Sequence, residues 1–267
     1  MQDAPAGVPE VRLEREGDIA FLTISNPARM NAFTAGMWRA LPELLAAAEA
    51  DDSLRVIVLR GDGTRAFSAG ADISEFDSAR AGADAVAAYD ALNDAAFHAI
   101  YGCTKPTIAM INGFCLGGGL AIALCTDIRL ADSAAQFAIP AAKLGLGYNA
   151  RWLRPLLATV PPARAKEMLF TGRRFNAAEA LAMGLVNTVA QASDLEATTR
   201  ALATEIGANA PLTIRAAKRA INELTRNPQT PDLAALDADI AACFNSEDYA
   251  EGRLAFKEKR KPRFKGR

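Results

Sequence analysis

The stretch Thr107-Ile-Ala-Met-Ile-Asn-Gly-Phe-Cys-Leu-Gly-Gly-Gly-Leu-Ala-Ile-Ala-Leu-Cys-Thr126 decides the fold. It carries no charge, so hydropathy alone would pass it as a membrane span. Its interior argues otherwise. Asn112, Gly113 and the triplet Gly117 to Gly119 interrupt it, and Lys105-Pro106 and Asp127 bound it. It reads as a buried strand over Thr107 to Ile111, a glycine loop, and a buried helix from Leu120 to Cys125.

The flanking sequence repeats this alternation. Glu10 to Ser25 reads as two strands around a Glu16-Gly17-Asp18 turn. Thr34 caps a helix that carries Met37, Leu41, Leu44, Leu45 and Ala48 on one face, although Pro42 interrupts the pattern. Val56-Ile-Val-Leu59 is an apolar run of the kind buried on both faces. A loop follows over Gly61 to Gly70, and residues 84–101 are alanine-rich and helical. Ile128 to Ala131 and Gln136 to Ile139 are further strands. Beyond them the chain is helical. Pro162 opens one helix that ends near Gly172, and Asn176 with Glu179 forms a capping box for another that stops at Gly184. Further helices fall at about 193–206, 211–226, 232–244 and 246–260. The pattern predicts an α/β fold of crossover units. It divides into a frayed tail over residues 1–9, a core over 10–190, and a helical region over 191–267 that must bury its apolar face against its own core or a neighbouring subunit.

Composition narrows the function. The 267 residues are 51% hydrophobic and 23% charged, which excludes wholesale disorder and leaves enough chain for a sizeable core. Acidic and basic residues number 31 and 30, so no general nucleic-acid-binding face is expected. Cys103, Cys115, Cys125 and Cys243 lie at no zinc or redox spacing and read as reduced thiols of a cytoplasmic protein. His98 is the single histidine, which disfavours a histidine metal site or a Ser-His-Asp triad.

Two segments carry chemistry. Ala66-Phe-Ser-Ala-Gly-Ala-Asp72 places small residues just after a buried strand, where a ligand can approach the backbone. Alone, it reads equally as a tight turn. Gly117-Gly118-Gly119 opens a helix, so free N–H groups and the helix dipole favour a negative charge there. The alternative is close helix–strand packing. No Gly-Lys-Ser/Thr follows, so this is not a phosphate-binding P-loop.

Together with Asn26-Pro-Ala-Arg-Met-Asn-Ala32, Lys105-Pro106, Asn112-Gly113, Cys125-Thr-Asp127, Gln136-Phe137, Leu169-Phe-Thr-Gly172, Ala178 to Val186 and Glu251-Gly252…Phe256-Lys-Glu-Lys259, these segments resemble the enoyl-CoA hydratase/isomerase (crotonase) superfamily. The resemblance covers nearly the whole chain. It implies a crotonase-like spiral of ββα units, a C-terminal helical trimerisation region giving a homotrimer or dimer of trimers, and an acyl-CoA thioester substrate. Coenzyme A is then part of the substrate, and no separate cofactor or metal is implied. Two backbone N–H groups, on Ala71 and Gly118, would hold the thioester oxygen. The resemblance also assigns contacts with coenzyme A to Arg29, Ala32, Ala69, Asp72 and Ile73, and to Phe256 and Lys259 of the last helix.

The sequence departs from the family at the acid–base positions. The hydratases' two glutamates fall at Ala121 and Ala141, and alanine transfers no proton. Tyr148-Asn149 looks like the segment of the superfamily's methylmalonyl-CoA decarboxylases in which a tyrosine holds the substrate carboxylate. The decarboxylase in question has a histidine where Ala71 stands, so the match is partial. Loss of CO2 from a malonyl thioester leaves an enolate and needs no protein base. Tyr148 is therefore the candidate substrate-orienting residue, against a rim-packing alternative. Asn149 and His98 are further candidates, His98 also reading as a satisfied helix residue. Asp72 and Asp127 read as structural, Glu75, Asp77 and Glu167 as spare carboxylates, and Trp38 and Trp152 as packing residues. The basic run Lys257 to Arg267 reads as a solvated tail or a partner for coenzyme A phosphates. The competing functions are a hydratase or isomerase with acid and base from elsewhere, and a non-catalytic acyl-CoA binder.

Overall fold

The computed structural model describes residues 8–75 and 83–267. The strand expected over Thr107 to Ile111 is the centre of a six-stranded sheet in the order β1-β2-β3-β5-β7-β10. These strands are β1 (Glu10–Glu16), β2 (Ile19–Ser25), β3 (Val56–Gly61), β5 (Thr107–Ile111), β7 (Ile128–Asp132) and β10 (Thr188–Ala190). β1 pairs antiparallel to β2 with Glu16 opposite Ile19, and every later pair is parallel. Burial explains the order. β2 and β5 are buried at every position and sit inside the sheet, whereas β1 is exposed along much of its length and takes the edge.

A second sheet follows the order β4-β6-β8-β9, built from β4 (Ala66–Ser68), β6 (Phe114–Leu116), β8 (Gln136–Ala138) and β9 (Phe175–Asn176). Its strands interleave with the first sheet along the chain. β3 leads to β4 and then helix α2 (Ala83–Gly102); β5 leads to β6 and then helix α3 (Gly118–Cys125). Each turn thus places one strand in each sheet and then a helix, the ββα spiral. β4 and β6 correct the sequence reading, which took Gly61 to Gly70 and Asn112 to Gly119 as loops throughout. Three-residue strands are too short to show a period, and their pairing partners come only from the next turn of the spiral.

Helix α1 (Ala35–Ala50) begins where expected, the Thr34 hydroxyl accepting from the Met37 amide at 3.3 Å. It runs on through Pro42, because Met37, Trp38, Leu41, Leu45 and Ala48 bury one face and outweigh the lost backbone bond. Helix α4 (Ala150–Thr159), which periodicity did not reveal, precedes α5 (Pro162–Thr171) and α6 (Ala177–Ala182). The Asn176–Glu179 capping box is complete in both directions. Four helices follow β10: α7 (Leu195–Gly207), α8 (Pro211–Arg226), α9 (Leu233–Phe244) and α10 (Glu247–Glu258). α7 packs Leu195 and Ala203 against Phe21, Val58 and Ile108 on the outer face of the large sheet. The basic C-terminus folds back rather than trailing in solvent. Buried Asp248 accepts from the amides of Lys265 at 2.6 Å and Gly266 at 2.8 Å. Among the described residues, no helix is long and apolar enough to cross a membrane.

Candidate active site

Ala71 and Gly118 meet because two glycine turns are pressed backbone to backbone. A Cβ on Gly70, which has φ of +97°, would lie 3.0 Å from the Gly118 nitrogen and 2.9 Å from the Leu116 carbonyl. A Cβ on Gly119 would lie 2.5 Å from the Ser68 carbonyl, so only glycine lets α3 approach β4 this closely. Packing therefore accounts for Gly119, the last member of the triplet.

The Ala71 segment is fixed by an extended bridge to Phe33. The Phe33 amide donates to the Gly70 carbonyl at 2.7 Å, and the Asp72 amide to the Phe33 carbonyl at 2.8 Å. The Ala69 amide donates to the Met30 carbonyl at 2.9 Å, and the Ser68 hydroxyl to the Asn31 carbonyl at 2.7 Å. Alternation along this short extended piece turns the Ala71 amide away from the bridge. Its nitrogen lies 3.7 Å from the point where a Gly118 Cβ would stand. The Gly118 amide sits in the first turn of α3 and has no partner within the helix. The two amides thus lie close together beside a helix N-terminus, and neither has a backbone partner among the described residues, a geometry suited to a negatively charged oxygen. The wall behind them is Trp38, whose Cζ2 lies 3.3 Å from the same Gly118 position. Its ring stacks on Phe33 with centroids 4.3 Å apart, and its Nε1 donates to the Tyr89 hydroxyl at 3.0 Å. From the sequence, Trp38 reads as a packing residue ahead of a ligand platform.

A cavity of about 540 Å³ lies beside α3, lined by Ala121, Cys125, Phe97 and Trp152. Edge-to-face contacts join Trp38 to Phe97 at 5.7 Å, Phe97 to Trp152 at 5.9 Å, and Trp152 to Tyr148 at 5.7 Å. An aromatic wall therefore runs from the two amides to Tyr148. The Tyr148 hydroxyl is enclosed and without a hydrogen-bond partner among the described residues, and burial pushes its pKa up. Asn93 Oδ1 is likewise buried and unpartnered, and no sequence signal marked it. Ala121 faces the cavity, while Ala141 is buried in the 3-10 turn Pro140–Leu144.

The other candidates fall as follows. His98 is exposed at the cavity, with Nδ1 2.7 Å from the Asp94 carbonyl. Asn149 is the N-cap of α4, its side-chain oxygen accepting from the Arg151 amide at 3.0 Å, so its acceptor is already engaged. Asp72 Oδ1 accepts from the Ser74 amide and hydroxyl and holds the turn Ile73–Glu75. The Ile73 side chain and Asp77 lie outside the described residues. Arg29 is exposed in the turn Pro27–Arg29, Ala32 is buried beside it, and Ala69 lies between Ser68 and Gly70. Glu75 accepts from the Ala35 amide, and Glu167 is paired with Arg164 and Arg173. Asp127 ties the Thr107 amide to Lys218. Phe256 is 88% exposed and lines an apolar face of α8, α9 and α10, apart from the cavity at Ala121. Lys259 ends α10 in the left-handed conformation and is exposed.

The ββα spiral, with the Ala71 and Gly118 turns pressed together where its turns meet, is the fold that the family resemblance implies. Comparison with known proteins agrees. The family model for enoyl-CoA hydratase/isomerase matches residues 14–267. The short-chain-enoyl-CoA hydratase of Clostridium acetobutylicum is 35% identical over 251 residues, covering 94% of this chain and 95% of that one. The carnitinyl-CoA dehydratase of Proteus mirabilis is 36% identical over 261 residues, covering 96% and 98%. A crystal structure of an enoyl-CoA hydratase/carnithine racemase from Magnetospirillum magneticum superposes with a TM-score of 0.93 at 41% identity, covering 96% of each chain. The chain belongs to the enoyl-CoA hydratase/isomerase family and is an acyl-CoA enzyme of the crotonase superfamily.

Proposed function

We propose that this enzyme is a lyase that decarboxylates a malonyl-type acyl-CoA thioester. The observation that carries the reading is the Tyr148 hydroxyl, enclosed and unpartnered among the described residues, its ring packed on Trp152, which lines the cavity together with Ala121. A buried donor without an acceptor is costly unless something else supplies one. A substrate carboxylate would do so. The C–C bond to that carboxylate breaks, CO2 leaves, and the electron pair passes into the thioester oxygen held by the Ala71 and Gly118 amides. Water then gives the enolate carbon its proton. The aromatic wall keeps the carboxylate poorly solvated, which favours its loss. Coenzyme A enters as part of the substrate. The test is CO2 release from methylmalonyl-CoA by wild type and Tyr148→Phe. A loss of about tenfold or more in the variant supports the assignment, and an unchanged rate contradicts it.

A second reading is favoured by His98, which lies at the cavity: hydration or dehydration with the imidazole as acid and base. The hydratase and dehydratase relatives support that chemistry. It requires His98→Gln to abolish hydration of crotonyl-CoA. Under either reading the protein works in the cytoplasm as a homotrimer or dimer of trimers. The supporting features are its free cysteines and the exposed Ile240, Phe244, Leu254 and Phe256 on the C-terminal helices.

A further inference from the structure

The cavity along α3 has two chemically different kinds of lining. Ala121 and Cys125 of α3 face it, with Phe97 and Trp152 as apolar wall. Gly118, whose amide belongs to the proposed thioester site, stands one turn before Ala121 on the same stripe of the helix. The rise from Gly118 to Cys125 is about 10 Å at 1.5 Å per residue. The cationic lining is Arg151 and Arg154 of α4 and Arg226 of α8, together with His98. Arg226 acts electrostatically on the Cys125 thiol, at the C-terminal end of α3.

The carboxylate among the lining residues is Asp94, and it is already occupied. It accepts from Arg151 Nη1 at 3.0 Å and from Trp152 Nε1 at 2.6 Å. Arg154 and Arg226 form no ion pair among the described residues. Glu223, one turn before Arg226, accepts instead from the Asn227 side chain and the Asp232 amide. Arg226 is nevertheless positioned, its guanidinium lying 3.8 Å over the Tyr101 ring. Its neighbours on α8 are matched: Lys218 with Asp127 at 2.7 Å, and Arg219 with Asp239 at 2.9 Å. Two guanidinium groups outside any ion pair among the described residues, lining a partly apolar cavity, suit a planar anion.

We propose that the acyl group ends in a carboxylate, so that the preferred substrates are ω-carboxyacyl-CoA thioesters of medium length, with Arg154 and Arg226 as carboxylate partners. The assignment rests on the acyl-CoA reading of the Ala71–Gly118 site but not on which reaction follows there. The rise of α3 from Gly118 to Cys125 separates this terminal carboxylate from any carboxylate lost next to the thioester. Binding at the remote anion would orient the reacting carbons.

The test is calorimetric titration of the full-length protein with suberoyl-CoA and with octanoyl-CoA, which share a chain length. Neither carries a carboxylate at C2, so binding is read apart from decarboxylation. Suberoyl-CoA is expected to bind about tenfold tighter at low salt, and the preference should shrink as salt is added. Arg154→Ala and Arg226→Ala should each remove most of the preference while leaving octanoyl-CoA affinity intact, which also shows that the variants fold. Equal affinity for the two thioesters overturns the proposal, as does a preference unchanged in both variants. Retained preference without CO2 release from any malonyl-type thioester would support this inference while refuting decarboxylation. Failure to bind either thioester refutes both.

Discussion

The Ala71 nitrogen lies 3.7 Å from the point a Cβ on Gly118 would occupy, and the Trp38 ring lies 3.3 Å from the same point. Position 118 thus lies between an amide and an aromatic wall, whereas Gly119 one residue later is sealed against Ser68. That contrast yields separable outcomes for neighbouring glycines. Gly118→Val should fold but lose about 100-fold or more in turnover, because its side chain fills the oxyanion position. Gly119→Ala should instead lose about 3 kcal/mol of stability through the clash at 2.5 Å with the Ser68 carbonyl. Denaturant titrations beside turnover assays check both. Full activity in Gly118→Val would remove the Ala71–Gly118 pair from catalysis.

Tyr148→Phe should leave the thermal midpoint unchanged or raise it. The hydroxyl has no partner to lose, so its removal sheds an unsatisfied buried donor. A fall of several degrees would mean that the hydroxyl is bonded within the folded protein, and the substrate role would lose its support.

Restoring carboxylates at the positions the family resemblance marks should change the reaction. Ala121→Glu places an acid on the cavity wall, and Ala141→Glu adds the second. The double variant is expected to gain hydration of crotonyl-CoA over wild type, followed by the loss of conjugated thioester absorbance. No gain in a folded variant would mean that these positions do not face the reacting carbons.

The buried thiols give a pH signature. Burial pushes Cys103 up to about 11 and Cys125 up to about 12, and raises Cys115 as well. Unfolded cysteines ionise near about 8.5. Above that pH the unfolded chain has released protons that the folded chain keeps, so stability falls as pH rises toward 11. Urea midpoints measured between neutral pH and pH 10 should decline, and Cys→Ser at position 125 should shallow the decline. A flat profile would count against thiol burial.

Much of the frame was legible in the sequence, because it is written in local patterns. The apolar runs at Val56 to Leu59 and Thr107 to Ile111, the Thr34 cap and the Asn176–Glu179 box all act within a few residues. Glycine at 118 and 119 was legible as a pair with two rival explanations, and the structure shows close packing at Gly119, where a Cβ would meet the Ser68 carbonyl. What stayed hidden depends on distant partners. β4 and β6 exist because successive turns of the spiral pair them. The Tyr101–Arg226 stack joins residues from two helices far apart in the chain, and Trp38 becomes a wall of the site only when α3 arrives. Asn149 is the instructive case. It begins a helix, and its capping role was available from the residues that follow, but its place beside Tyr148 drew attention to chemistry.

The most direct test of the central claim is a paired turnover assay on the purified protein. One arm follows CO2 release from malonyl-CoA and methylmalonyl-CoA, and the other follows hydration of crotonyl-CoA. The account predicts decarboxylation in the first arm, lost in Gly118→Val, and no hydration in the second. Rapid hydration of crotonyl-CoA with no CO2 release would contradict it and transfer the acid–base role to groups such as His98.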